Sequence, residues 1–244
     1  MRNNKNLILL GCVLAGACLA PLAAHASPVS MKLTGTEGAS LDSIYTDPYY
    51  ADVSSQYLTK AGQFNSTNST PLTIYCDDFY DEVNVNQVWQ ANITNLGDLS
   101  KTSALTTLMF DTSDATVQET DYMAAAWLVE AIARNNQPET ADEEMSWAIW
   151  GIFDSDALSK LKSYNYDDWL AVTGYITNAD DDIAGLTPSY FSNVNVYTPL
   201  DATPGHAGSQ EYFTVTVPEP STLSLAAAGL ALIGFALRRR GRLA

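Results

Sequence analysis

Histidine and cysteine are almost missing from this chain. It holds two histidines, His25 and His206, and three cysteines, Cys12, Cys18 and Cys76. So few imidazoles and thiols leave no zinc-type spacing, and a cysteine nucleophile would have only His206, in a Pro-Gly stretch, as its base. A nucleophile elbow and a glycine-rich phosphate loop are absent as well. We therefore expect no catalytic residue, no metal and no cofactor. Basic residues are the other scarcity: Lys and Arg number 12 against 28 Asp and Glu, for a formal charge of −16.

Half of those bases stand at the two ends. Arg2 and Lys5 precede an apolar stretch over residues 7–22, and Ala24-His25-Ala26 is a small-x-small sequence before Ser27. Residues 1–26 read as a signal peptide that signal peptidase removes between Ala26 and Ser27. A lipoprotein site at Cys12 is the poorer reading, because only a short apolar run precedes that cysteine. At the far end, Pro218-Glu219-Pro220 leads into an apolar run, 223–237, closed by Arg238, Arg239, Arg240 and Arg242. At 1.5 Å per residue that run covers roughly 22 Å of a hydrocarbon layer roughly 30 Å thick, and flanking residues and long Arg side chains make up the difference. The arginines stop transfer and hold their end in the cytoplasm.

Between the two ends lies a body, 27–217, whose bases are Lys32, Lys60, Lys101, Arg134, Lys160 and Lys162. Every acid except Glu219 lies there too, so six bases face 27 acids and the body carries −21. Such a surface repels phosphate backbones, which excludes nucleic acid as a partner. Five tryptophans, all in the body, argue for a packed core rather than disorder. With Cys12 and Cys18 lost alongside the signal, Cys76 has no internal disulfide partner. It is then buried and inert, paired with another molecule, or chemically employed.

Periodicity divides the body into strands, helices and strands again. Residues 29–33 alternate, residues 45–50 contain a turn at Asp47-Pro48, and 72–76 and 83–93 read as strands. From Asp121 to Asn135 the apolar residues Tyr122, Ala126, Val129 and Ala133 fall at helical spacing, with Glu130 and Arg134 paired four apart on the other side. Thr140 and Glu143 suggest a capping box for a second helix with the stripe Met145, Ala148, Ile149 and Ile152. Helices are also expected near 156–163 and 166–178, and strands at 192–197 and 211–217. We expect an α+β domain: β-sandwich-like strands with a central helical insertion over about 121–178. Asp180, Asp181 and Asp182 invite a calcium loop, but such a loop needs Gly at 183 and Glu at 189, where the chain has Ile183 and Ser189.

Two resemblances follow from these motifs. The tail Pro218, Glu219, Pro220, its apolar run and its arginines resemble the PEP-CTERM sorting signal of Gram-negative bacteria. That resemblance implies an exosortase-type processing enzyme as partner, a membrane-held intermediate at the inner membrane, and final residence at the cell surface or in an exopolysaccharide matrix. In the body, Tyr75-Cys76 followed by Ala148-Ile149-Trp150, with an alanine-rich helix between, resembles the thioester domains of bacterial surface adhesins. Those domains join a cysteine to a glutamine side chain. Here Ser146 stands at the glutamine's place, and a serine has no carboxamide to be displaced by thiolate. The sequence thus points to a non-enzymatic secreted surface or matrix protein. An adhesin using Cys76 as a reactive thiol is the alternative, and a polysaccharide-active enzyme a further one.

Overall fold

Along strand β1, Val29–Thr36, the inward residues Val29, Met31 and Leu33 are all buried, as a two-residue side-chain period requires of a strand with one face to a core. The structure is a computed structural model that describes residues 28–36, 40–41, 44–54, 64, 68–80, 83–110, 112–134, 137–201 and 209–216. After β1 come a two-residue pair, β2 at Ser40–Leu41 and β3 at Ile44–Tyr45, then β4 at Tyr49–Ser54, β5 at Ser69–Cys76 and β6 at Val88–Asn95. Two strands follow the helices, β7 at Val194–Pro199 and β8 at Tyr212–Val215. Six of the strands close into an antiparallel barrel in the order β1-β4-β5-β8-β7-β6. The α+β expectation holds, but the strands form one closed barrel rather than two facing sheets. Closure comes from β1, which pairs with β4 on one side and with β6 on the other, where Met31 faces Trp89.

Side chains fill the barrel, as they must in one of so few strands. Met31, Leu33, Ala51, Ile74, Cys76, Trp89, Ala91, Tyr197 and Tyr212 form its interior cluster. The register explains which residues these are: Cys76 faces Tyr212, and Tyr197 faces Tyr212, on the inner side. One residue along, Tyr75 faces Phe213 and Val196 faces Phe213, and these three belong to a second core outside the barrel.

The helices supply the rest of that second core. A one-turn helix, α1 at Thr102–Leu105, precedes α2 at Ala115–Ala133, α3 at Glu139–Phe153, α4 at Ser155–Tyr164 and α5 at Tyr166–Ile183. Asp114 caps α2 by accepting from the amides of Thr116 and Val117, so the helix starts six residues before the expected Asp121. Ala124, Ala125 and Ala126 are all buried: α2 is enclosed by α3, α5 and β8 rather than amphipathic. The capping box proposed for α3 does not form. Pro138 occupies the cap position without a side-chain hydrogen bond, and Thr140 lies inside the helix. Asp154 and Asn165 cap α4 and α5 with their side chains. The helical insertion therefore runs from α1 to the end of α5, longer than 121–178 at both ends. Asp180, Asp181 and Asp182 lie in its last turns as helix, not as a calcium loop.

Candidate functional site

Cys76 ends β5, and alternation turns its side chain into the barrel with Ile74 while Tyr75 points to the helices. It is fully buried, its thiol donating to the carbonyl of Asp78 at 3.2 Å. Burial, then the nearby charges of Asp47, Asp78 and Asp77, push the thiol well above its ordinary range. A thiol held neutral in a sealed interior is no nucleophile. Cys76 does not share a core with Trp147 or Trp150. Those two rings sit 5.2 Å apart with Phe79 in the helix-side core, whereas Cys76 clusters with Trp89 and Tyr212 inside the barrel.

Asp47 joins the two positions that the adhesin resemblance singles out. Its Oδ1 accepts the backbone N–H of Cys76 at 2.7 Å, and its own backbone N–H donates to Ser146 Oγ at 3.2 Å. Ser146 in turn donates to the carbonyl of Asp142, four residues back in α3, at 2.9 Å. Asp47 is buried, and that burial, tempered by these hydrogen bonds, pushes its carboxyl up to about 8. The Cys76 and Ser146 positions are thus bridged through Asp47, but by backbone and hydroxyl contacts. Sequence reasoning treated Asp47-Pro48 only as a turn, because nothing local tells a turn aspartate from a buried one.

A second buried cluster forms around Glu211, the residue before β8. Glu211 Oε1 accepts from the Tyr122 hydroxyl at 2.5 Å, and Oε2 accepts from the Met109 N–H at 3.0 Å and from the Thr198 hydroxyl. Asp77 lies against it. Burial and the Glu211 charge raise Asp77 well above the carboxylate range, while Glu211, raised by burial, is relieved by the hydrogen bonds from Thr198, Tyr122 and Met109. Asp77 is thus pushed toward its neutral form, and the Glu211 carboxyl is held by three donors, the Tyr122 and Thr198 hydroxyls and the Met109 N–H. Both residues are fully buried, and the Asp77 N–H donates to the Glu211 carbonyl at 3.5 Å, so this cluster ties β5, β7, β8, α2 and the segment before α2 together rather than meeting a ligand.

The other aromatic groups divide by burial. Tyr49 packs edge-on against Tyr212 at 6.1 Å, while Tyr164 and Tyr166 are exposed and Lys162 lies 4.0 Å over the Trp169 ring. No group of three metal-ligating side chains occurs among the described residues, and none of the described helices is long and apolar enough to cross a membrane. The signal site at Ala24, Ala26 and Ser27, the run 223–237, the sorting residues Pro218, Glu219 and Pro220, the arginines Arg238, Arg239, Arg240 and Arg242, and His206 lie outside the described residues.

Where the described chain ends is informative. β8 lies between β5 and β7 in the barrel, and the next residue, Thr216, donates its N–H to the Asn193 carbonyl at 2.9 Å. No curated protein and no solved structure matches the chain. Residues 216–240 match the PEP-CTERM protein-sorting motif, so the chain carries, directly after its last barrel strand, the signal of an exported protein that an exosortase-type enzyme processes at the membrane.

Proposed function

We propose that the body is a non-enzymatic component of the cell surface or exopolysaccharide matrix of a Gram-negative bacterium. Signal peptidase frees it at Ser27, the run 223–237 holds it at the inner membrane, and an exosortase-type enzyme then releases it by cutting near Pro218-Glu219-Pro220. The observation that carries this reading is the position of the sorting motif, which begins where the folded barrel ends. Cutting there leaves the domain whole. Support also comes from the sealed state of the groups with chemical potential: Cys76, Asp77 and Glu211 are all fully buried. The charge of the body suits a protein that must stay soluble in a crowded matrix. The test is the intact mass and location of the protein in its host with and without the exosortase-type enzyme. Loss of the tail and surface release should both depend on that enzyme, and a surface fraction that keeps residues 223–237 defeats the proposal.

A covalent adhesin is the second reading. The observation on its side is the Asp47 bridge, which links the Cys76 and Ser146 positions. The chemistry nevertheless lacks its two reactants, a thiolate and a carboxamide, so we rank it below the first.

A further inference from the structure

In a body of 27 acids, the placing of six bases carries information. Among the described residues two of them, Lys101 and Arg134, stand at the barrel end from which the sorting tail departs. There Asn95 pairs with Asn195, Val194 pairs with Val215, and Thr216 is bonded to Asn193. The Asn193 side-chain amide donates to Glu130 Oε1 at 2.8 Å. Glu130 Oε2 accepts from Arg134 at 2.9 Å, leaving that arginine side chain 58% exposed. On the other side, the 3-10 turn Leu96–Asp98 prolongs β6, and Lys101 reaches Asp98 at 2.7 Å with its side chain 63% exposed. The 3-10 turn Pro188–Phe191 packs against that turn and presents Tyr190, 54% exposed. Both ion pairs among the described residues therefore lie at this end, with an exposed amphipathic ring beside them. Long basic side chains and tyrosine are the residue types that settle at a lipid headgroup layer.

Chain length brings the same end to the membrane. Only residues 217–222 separate Thr216 from the apolar run, a contour of at most about 25 Å. The headgroup layer takes up several ångströms of that on each side of the bilayer. β8 has no length to lend, since it is a central strand of the barrel.

We propose that, before the tail is cut, this end of the barrel lies against the phospholipid headgroup layer, with Lys101, Arg134 and Tyr190 at the contact. The opposite end, where Gln87 and Asp201 line an open cleft of about 470 Å³, faces away from the membrane. The proposal rests on reading 223–237 as the membrane helix. Asp180, Asp181 and Asp182, close in sequence to the Tyr190 turn, add negative charge, so the tether and the paired bases hold the contact rather than a net positive patch.

The test uses the chain without its signal, residues 27–244, placed in phospholipid vesicles that carry a headgroup spin label. A fluorophore is attached at S100C or S189C on the near end, or at V85C or D201C on the far end. These sites are exposed, and the native Cys76 is buried. Eight-residue strands tilted as in barrels separate the two ends by roughly 20 Å, so near-end labels should be quenched several-fold more than far-end labels. Failure of the chain to float with the vesicles removes the membrane helix, and this contact with it. Flotation with equal quenching at all four sites overturns the contact alone.

Discussion

The Tyr122 hydroxyl, from the middle of the enclosed helix α2, donates to the Glu211 carboxylate at 2.5 Å across the boundary between helices and barrel. Glu211 sits one residue before the strand that completes the barrel, so this bond couples the helical layer to barrel closure. Removing the hydroxyl leaves a buried carboxylate with two donors in place of three. Hydrogen bonds to charged groups are worth about 1.5–3 kcal/mol, so Tyr122→Phe should cost about that much in urea unfolding. Glu211→Ala should cost more, since it strands the Thr198 and Tyr122 hydroxyls and the Met109 N–H together. A Tyr122→Phe loss below about 0.5 kcal/mol would mean the network is not holding the layers.

Stability should fall as pH rises through the neutral range, opposite to ordinary acid denaturation. Asp47 has its carboxyl pushed to about 8 in the fold against 3.8 as its ordinary value. Between those two values the folded chain keeps a proton that the unfolded chain has released, so each rise in pH favours unfolding. Above about 8 both states are ionised and Asp47 contributes no further loss. Asp121, raised to about 6 by burial and by Asp180, acts in the same direction over a narrower window, and Asp77 adds to it. Thermal melts at pH 5, 6.5 and 8 should therefore show a falling Tm. Asp47→Asn, which keeps an oxygen for the Cys76 N–H, should flatten the curve. A Tm that climbs from pH 5 to 8 contradicts the assignment.

What the sequence made legible was whatever local pattern determines. The Glu130–Arg134 pair, the β5 and β7 strands, and α3 to α5 all follow from spacing, and all form. In β8 both Tyr212 and Phe213 are buried, one by the barrel and one by the helices, so apolarity alone does not tell which faces inward. A strand covered on both faces loses its alternation. Barrel and sandwich look alike in sequence, since closure depends on a long-range pairing, Met31 with Trp89, that no local period encodes. The Glu211 cluster was invisible for a similar reason. Its donors come from Met109, Tyr122 and Thr198, three segments that only the finished fold brings together.

Cys76 should behave as a silent thiol. The protein should have its full mass, without the loss of one ammonia that a thioester entails, and should form no adduct with methylamine. Maleimide labelling should be slow in buffer and fast in urea, because the thiol is sealed in the barrel and held neutral. A mass lower by one ammonia would bring the adhesin reading to the front.

Ser146→Gln, which restores the carboxamide of the thioester domains, should be poorly tolerated. Ser146 is fully buried, and its Oγ accepts the Asp47 N–H while donating to the Asp142 carbonyl. A glutamine replaces the hydroxyl by one more methylene and a carboxamide at this fully buried position, and overpacking of this kind costs about 1–3 kcal/mol. The expected readout is a lower urea midpoint at unchanged slope, with Cys76 still free by mass. Wild-type stability in this variant would mean that the α3 face around Asp47 has room for the longer side chain.

The final prediction concerns where the mature chain must end. β8 pairs with β5 through Tyr75–Phe213 and Cys76–Tyr212, and with β7 through four further residue pairs. Taking it away leaves two open strand edges and exposes the fully buried Tyr212, Phe213 and Glu211 sites. A chain ending at residue 216 should therefore melt at the same temperature as one ending at 222. A chain ending at residue 210 should be insoluble or unfolded. The processing enzyme works under the same constraint: a cut before Thr216 destroys the domain, and a cut after Leu223 leaves apolar residues on a soluble protein. The mature C-terminus should thus fall between residues 216 and 222, as read by intact-mass measurement of the protein from its host. A stable mature form ending before Val215 would show that β8 is dispensable and that the barrel described here is not the released fold.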